Sequence, residues 1–538
     1  MKKTLSAVLI AACLGGGYTA ASWYFGKQTE ATLSAQYDKL LEKTPYVKIL
    51  QRDYQRGVFK STETMTLEIV MEPSPSTAQA ATDDQPTESK PLTLMVHSDI
   101  RHGPIPDLSA VATAATTTEV KLTDDAAAEL SGQLAGKTLF TQQMLIHLDG
   151  SGHATFSSPE LALTIPNSSA SEADLAVTLD WQGMSGEMDF SADMEQLTLN
   201  AVAPSVNVTD DEGGKIHVSG IQMSSVQEKL YQDVDSIYAG NQHITVDEVS
   251  VATPEHAQTP VVIKQIAYDV DLAKEGDFLN VFERMGVEKL QLGQNGAGPF
   301  HFDISFKHLH GRTFAEFSQA LVGLNAELSK FADEQSAFDE SLMPVIKEHG
   351  QRLLDHNPEI HIDRVSFATG DGEALLTGQI RIDALNIDAA MENPFLVLPS
   401  LVASGEFSVD ENMVLELLRN PPQSELLGNT DEESAAQMAA NAQMMAAQFQ
   451  QQVAMFTDMG YITREGSLLK TQVSFEAGQL LVNGQPFMPM AQPDPMEDES
   501  GDMEAEPSLM EDDAVSMEVD PALIEEPAAG MEAEANLQ

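Results

Sequence analysis

One cysteine, Cys13, is all the chain contains in 538 residues, so no intramolecular disulfide can form and the fold must be held by its core. Basic residues are also scarce. Lys and Arg number 29 against 83 Asp and Glu, a formal charge of −54 that repels nucleic acid and anionic surfaces and favours a soluble, self-repelling exterior. No nucleic-acid partner is expected. The fingerprints of common chemistry are missing too: there is no phosphate loop, dinucleotide fingerprint, nucleophile elbow or paired-histidine zinc helix. The chain is therefore expected not to be an enzyme, with no cofactor, no metal and no catalytic residue assigned. A hydrolase ranks last among the function classes.

What is present begins at the N-terminus. Leu5 to Phe25 is a run of 21 residues without a charge, which as a helix spans about 30 Å, the hydrocarbon thickness of a bilayer. Lys2 and Lys3 precede it, and Trp23 and Tyr24 close it at the level of the headgroups. An uncleaved signal anchor over residues 1–27, bounded by Leu5, Trp23 and Tyr24, is the preferred reading. Two others stay open: lipidation at Cys13 after Ile10, Ala11 and Ala12, and cleavage after Ala20 or Ser22. All three export the bulk of the chain, and the first expects a bacterial inner-membrane protein facing the periplasm.

Beyond the anchor, residues 28–44 carry Leu33, Tyr37, Leu40 and Leu41 on one helical stripe and read as an amphipathic stalk. The period then changes to two. Across 45–310, short alternating stretches such as "TMTLEIVM" and "LTLMVHSDI" are separated by Gly, Pro, Asn, Asp and Ser, without the long helical crossovers that parallel sheets need. Residues 72–90 have the composition of a flexible insertion. A helical segment follows over 311–358, with Phe314, Phe317, Leu321, Leu324, Leu328 and Phe331 spaced by three and four. Strands are expected over 359–410, where Ala374 to Asp388 reads as one of them. A second helical segment covers 411–460, a hairpin region with turns at Gly478 and Asn483-Gly484 covers 461–488, and an acidic tail predicted to be disordered covers 489–538. The fold class is α+β: a single transmembrane helix, then a large antiparallel meander with two helical segments and the tail.

Candidate chemistry is thin. In "HFDISFKHLHG" His308 and His310 fall on one strand face, with His301 and Asp303 upstream, a set from which zinc ligands could be drawn. A histidine on a half-buried strand more commonly satisfies a hydrogen bond, so no metal site is assigned. The methionines of 431–458 fill adaptable apolar surface in preference to holding copper.

Three short motifs carry a resemblance. "WYFGK" with Gly26 and Lys27, "YQRGVFKS" with Tyr54, Arg56, Gly57, Phe59 and Ser61, and "RHGP" with His102, Gly103 and Pro104 resemble the YdgA-like family of bacterial envelope proteins. The order of blocks to about Gln485 fits as well. That family has no known function, so the resemblance implies a compartment and an architecture. More distantly the meander resembles AsmA-like envelope proteins, which implies lipids held along a β-groove.

On physical grounds the motif residues read as structural. Gly57 supplies a conformation closed to residues with a Cβ, Arg56 clamps a carboxylate or carbonyls, Phe59 fills a core site, and His102-Gly103-Pro104 forms a fixed turn. The expected partners are the inner membrane and lipid or other envelope proteins, with a homo-oligomer open. The expected role is to bind or convey an apolar ligand along the sheet, with the Phe314 to Phe331 helix as cover. The alternative is an interaction scaffold.

Overall fold

Residues that alternate apolar with polar side chains, many of them β-branched or aromatic, pleat into strands with one face for the core. The computed structural model describes residues 18–31, 34, 47–69, 92–106, 110–129, 132–165, 176–254, 259–293, 295–328, 342–383, 385–419 and 432–487. Among these, 23 strands form one sheet, and the chain is mostly antiparallel β with helices beside it. The expected insertion at 72–90, the tail at 489–538 and nearly all of the stalk at 28–44 beyond residue 31 lie outside the described residues, as do Leu5 and Phe331.

The strands are β1 (Val47–Arg56), β2 (Lys60–Ile69), β3 (Leu92–His102), β4 (Ala114–Leu122), β5 (Thr138–Ile146), β6 (Gly152–Ser158), β7 (Leu161–Ile165), β8 (Val177–Trp181), β9 (Met184–Phe190), β10 (Gln196–Asp210), β11 (Lys215–Tyr231) and β12 (Val234–Ala252). They continue with β13 (Val261–Glu275), β14 (Phe278–Leu292), β15 (Asn295–Ala297), β16 (Phe300–His310), β17 (Glu359–Thr369), β18 (Gly372–Ile382), β19 (Leu401–Asp410), β20 (Thr463–Glu465), β21 (Leu468–Glu476), β22 (Gln479–Val482) and β23 (Gln485–Pro486). Pairing follows chain order with one main detour: β6 pairs with β9, while the β7–β8 hairpin lies beyond β9 along β10. The path runs β1 to β6, β9 to β14, β16 to β19 and then β21. At about 4.8 Å per strand it covers roughly 77 Å along the sheet. Its far side is closed by the short β20 and β22, which pair with opposite ends of β21 and blunt a free edge.

Helices cap the sheet locally. Residues 18–31 form α1, and α2 (Asp124–Glu129) brings Ala126 against Leu122 and Leu134 in one small core. The main helix α3 (Gly311–Leu328) follows β16 directly and buries Ala315 against Val234, Ile237, Leu279 and Leu309, with Phe314 packed beside them. Arg312 ties its start to the sheet through a two-bonded pair with Asp233 (2.8 and 2.7 Å). Two later helices, α4 (Glu411–Arg419) with Met413 and Leu415 buried and α5 (Glu432–Asp458) with Ala442, Ala446 and Val453 buried, lie against each other, and α4 also meets β18 and β19.

One expected strand is too long. Ala374 to Asp388 leaves the sheet at Ile382, because the Asn386 side chain accepts from the Ala389 amide (2.9 Å) and caps the short helix Ile387–Glu392. No helix among the described residues is long and apolar enough to cross a membrane. Residues 1–17 of the expected span lie outside them, but residues 18–25 belong to α1, where Tyr18 and Ser22 bond to the sheet, so Trp23 and Tyr24 do not close a bilayer span as expected: a segment packed on the sheet cannot also lie in hydrocarbon.

Candidate functional site

The three motifs, far apart in sequence, meet at one place. Helix α1 lies on the end of the β1–β2 hairpin and on the end of β3. Tyr18, Ser22, Gly26 and Thr29 recur every three or four residues, so they form one stripe, and Ser22, Gly26 and Thr29 are buried. Small residues let the helix approach closely. A Cβ at Gly26 would stand 2.3 Å from the His102 ring. The Ser22 hydroxyl donates to the Gly103 carbonyl, the Tyr18 hydroxyl donates to that of Ile105 (3.1 Å), and the Tyr18 ring stacks on Phe59 at 5.8 Å.

His102 is the centre of this joint, with 1% of its surface exposed. Its Nδ1 is 2.9 Å from the Val58 carbonyl, which can only accept, so Nδ1 carries the proton in the neutral ring. Nε2 then accepts from the Ser61 hydroxyl at 2.9 Å. A serine paired with a histidine is the start of nucleophilic geometry. Here Ser61 is itself buried, the other ring nitrogen meets a carbonyl instead of a carboxylate, and Gly26 is packed against the ring, so the arrangement is a lock between helix and sheet.

Charge surrounds the lock. Glu63, almost wholly buried, accepts from Arg52 Nε at 2.6 Å, and Arg52 Nη1 donates to Ser34 at 3.0 Å. Arg56 pairs with Glu30 of α1 at 2.9 Å and lies 5.9 Å over the Trp23 ring. Burial raises the Tyr54 hydroxyl above its usual range against the pull of Ser61, and Glu30 and Glu63 add to the rise. Trp23, Tyr24 and Lys27 face outward from α1.

Two expected roles change. Phe59 is 50% exposed at the hairpin tip, because its partner is Tyr18 of the helix and no sheet core lies there. Gly57 does not take a left-handed conformation; it is needed because a Cβ would come 2.4 Å from the Lys60 carbonyl. In the turn after His102, Gly103 likewise has no room for a Cβ beside the Ala112 carbonyl, and its bond to Pro104 is cis.

A second feature is visible only once the strands are paired. Crossing from strand to strand, direct partners run Ala201, Met223, Ile244, Tyr268, Met285, Phe302, Val365, Leu376, Phe407. A parallel row runs Val246, Ile266, Val287, Phe300, Phe367, Ala374, Val409, Leu469. One residue away on the opposite face the partners are His243, Asp269, Arg284, Asp303 and Arg364, the last four alternating in charge. Over this stretch the sheet is thus apolar on one face and carries a charged row on the other.

The apolar band extends toward the joint. Met65, Val96, Val120 and Phe140 are successive partners on β2 to β5, and the Phe140 ring stacks on Phe156 of β6 at 6.0 Å. Phe156 pairs with Gly186 and that with Ala201. From β2 to β19 the band crosses 14 strand-to-strand steps, roughly 67 Å. It is not covered throughout: Met285, Phe302 (46%) and Phe407 are exposed around a depression of about 430 Å³. Helix α3 lies off this depression. Its Phe314 belongs to the core around Leu279, Leu324 is buried, Leu321 is half-buried, and Phe317 meets His349 at 6.3 Å. Leu328 is the last residue of the helix.

His308 and His310 of β16 each find a hydrogen bond, as expected of histidines on a half-buried strand, with His308 Nδ1 at 2.8 Å from the His356 carbonyl. His308 takes a left-handed conformation (φ 58°) and stacks on Phe278 at 3.9 Å, while His310 stacks on His356 at 4.1 Å and its Nδ1 bonds the Thr313 hydroxyl at 2.8 Å. Burial lowers His356 below the ordinary histidine range, and His310 and His308 add to this against Asp355. No group of three or more His, Cys, Asp or Glu among the described residues is placed to hold a metal.

The three motifs that meet around His102 all lie within the stretch matched by a known family. The chain belongs to the family described as bacterial protein of unknown function (DUF945), matched over residues 1–490. It is similar to Protein YdgA of Escherichia coli (strain K12), 20% identical over 520 residues, 90% of this chain and 95% of that protein. No solved structure matches it.

Proposed function

We propose that this is a membrane-anchored envelope protein of the bacterial periplasm that holds apolar chains, such as lipid acyl chains, along one face of its sheet and performs no catalysis. The observation that carries this reading is the unbroken row of apolar cross-strand partners, left open at Met285, Phe302 and Phe407. A sheet with so acidic an exterior has no reason to leave several large apolar side chains side by side in water unless something occupies them. Each acyl methylene buried there is worth about 0.8 kcal/mol. An anchor in the residues before α1 would hold the sheet beside a source of such chains, with α1 itself locked to the sheet around His102.

The test is lipid mass spectrometry on the full chain purified in mild detergent. Met285→Thr/Phe302→Thr keeps strand-forming residues at these partly exposed partner positions, so it is expected to fold and to lose most co-purifying lipid. Lipid content equal to wild type in the folded variant removes the reading. A variant that instead turns an oligomer into a monomer transfers the face to the scaffold alternative.

A further inference from the structure

The loop between β18 and β19 is built as a finger. It consists of the helix Ile387–Glu392, a 3-10 turn Pro394–Leu396 and a last helical turn Val397–Ser400. Its neck is closed by the Asp383 amide donating to the Ser400 carbonyl (2.7 Å) above the Ile382–Leu401 pair. Gln351 clamps its base, donating to the Leu385 carbonyl (3.0 Å) and accepting from the Ile387 amide (2.9 Å), and Lys347 reaches Asp388 at 3.3 Å. The tip is the reverse of a usual loop. Phe395 is 77% exposed, and Met391, Leu396 and Leu398 are exposed beside it.

We infer that this finger inserts its apolar tip into a lipid leaflet other than the one holding the N-terminal anchor. Three observations support a bilayer as the occupant. The apolar face of the sheet runs straight into the finger, through the Leu376–Phe407, Ile380–Ala403 and Ile382–Leu401 pairs, so the two surfaces are continuous. Between them Gly378 faces Gly405, which leaves a notch without side chains on the floor of that path. The finger is also separated from His102 by 12 strand-to-strand steps between β3 and β18, roughly 58 Å along the sheet. The choice of a second leaflet rests on the anchor reading. Insertion itself does not, and would stand even if the band carried nothing.

Residues 385–400 contain two acids and no Lys or Arg. Attachment is therefore apolar, insensitive to salt, and stronger on zwitterionic than on anionic lipid. The test uses the full chain with Cys13→Ser and Leu398→Cys, labelled with an environment-sensitive fluorophore and held by its N-terminus in a phosphatidylcholine nanodisc. Vesicles of brominated phosphatidylcholine added in trans are expected to quench most of the emission at any salt concentration. A label at Asp371→Cys, in the turn at the other end of β18, stays bright, and Phe395→Asp/Leu396→Asp abolishes the response. Quenching only by brominated lipid in the host disc overturns the second leaflet. No lipid quenching, preference for anionic vesicles, or a shift that follows protein concentration without lipid overturns the finger as a membrane contact, the last assigning it to a second copy.

Discussion

At the scale of single residues the joint depends on fit. Gly26 and His102 occupy space that only one of them can fill, so Gly26→Ala forces the ring or the helix to move, a change that costs about 1–3 kcal/mol in a well-packed site. His102→Ala deprives the buried Ser61 hydroxyl of its partner, at about 1–3 kcal/mol, and frees the Val58 carbonyl of an exposed residue at smaller cost. The two effects share one cavity and are not additive. The double variant is expected to lose less stability than the sum, because the alanine methyl then enters the space the ring has left. Denaturant titration of the four proteins measures this, and strict additivity would show that helix and ring do not touch. Removing Glu63 is of another kind. Glu63→Ala leaves Arg52 facing a buried gap and is expected to destabilise more than Arg56→Ala, whose partner Glu30 is partly in water.

Elements carry their own predictions. Helix α3 ends the apolar face at the Leu279 core, so Leu324→Ala is expected to cost about 2–5 kcal/mol, the range for a buried leucine, while leaving bound lipid unchanged in the folded fraction. The two ring stacks beside α3 add a pH response. His356 has its folded value held below the ordinary one by burial and by His310 and His308, with Asp355 opposing. Its neutral form is the one the fold favours, so its contribution is complete above the ordinary histidine value of about 6.5 and is lost as pH falls from there through the lower folded value. His356→Phe keeps a ring against His310 without a titrating nitrogen. Its thermal midpoint is expected to fall less than wild type's between neutrality and pH 5.5, and parallel curves would assign the acid loss to other groups.

Elements also show where local sequence is enough. The hairpin after β21 was legible because both of its two-residue turns, Ala477-Gly478 and Asn483-Gly484, take the left-handed conformation that Gly and Asn accept (φ 50° and 76°, 48° and 77°). The end of β18 was not, since "ALNID" continues an alternating pattern and only the Asn386 cap turns the backbone. His308 stands in a regular alternating stretch, and its left-handed backbone answers to the Phe278 stack and the Asn280 side chain, which lie elsewhere in the chain. The motif residues could be singled out one by one. That they meet around His102 depends on β1, β2, β3 and α1 being brought together, which no local pattern states.

At the scale of the whole molecule the apolar band is the least legible feature and the most consequential. Each strand shows its own alternation, but alignment of the apolar faces requires the register of 15 paired strands, and a slip of one residue anywhere would exchange apolar and ionic faces beyond it. A band that conveys chains must be continuous, and one that only holds them need not be. Ile244 lies mid-band between Met223 and Tyr268, so Ile244→Glu places a carboxylate in the path, and an apolar chain passing it must desolvate a charge. Thr245→Glu puts the same charge on the ionic face and serves as control. With photoreactive side chains at Phe140 and at Phe407, wild type and Thr245→Glu are expected to cross-link lipid at both ends in cells. Ile244→Glu is expected to cross-link at Phe140 and to lose the Phe407 product while keeping a cooperative melting transition. Cross-links at both ends in that variant would mean that the two halves load separately, and the sheet would then be a holder of lipid with no passage along it.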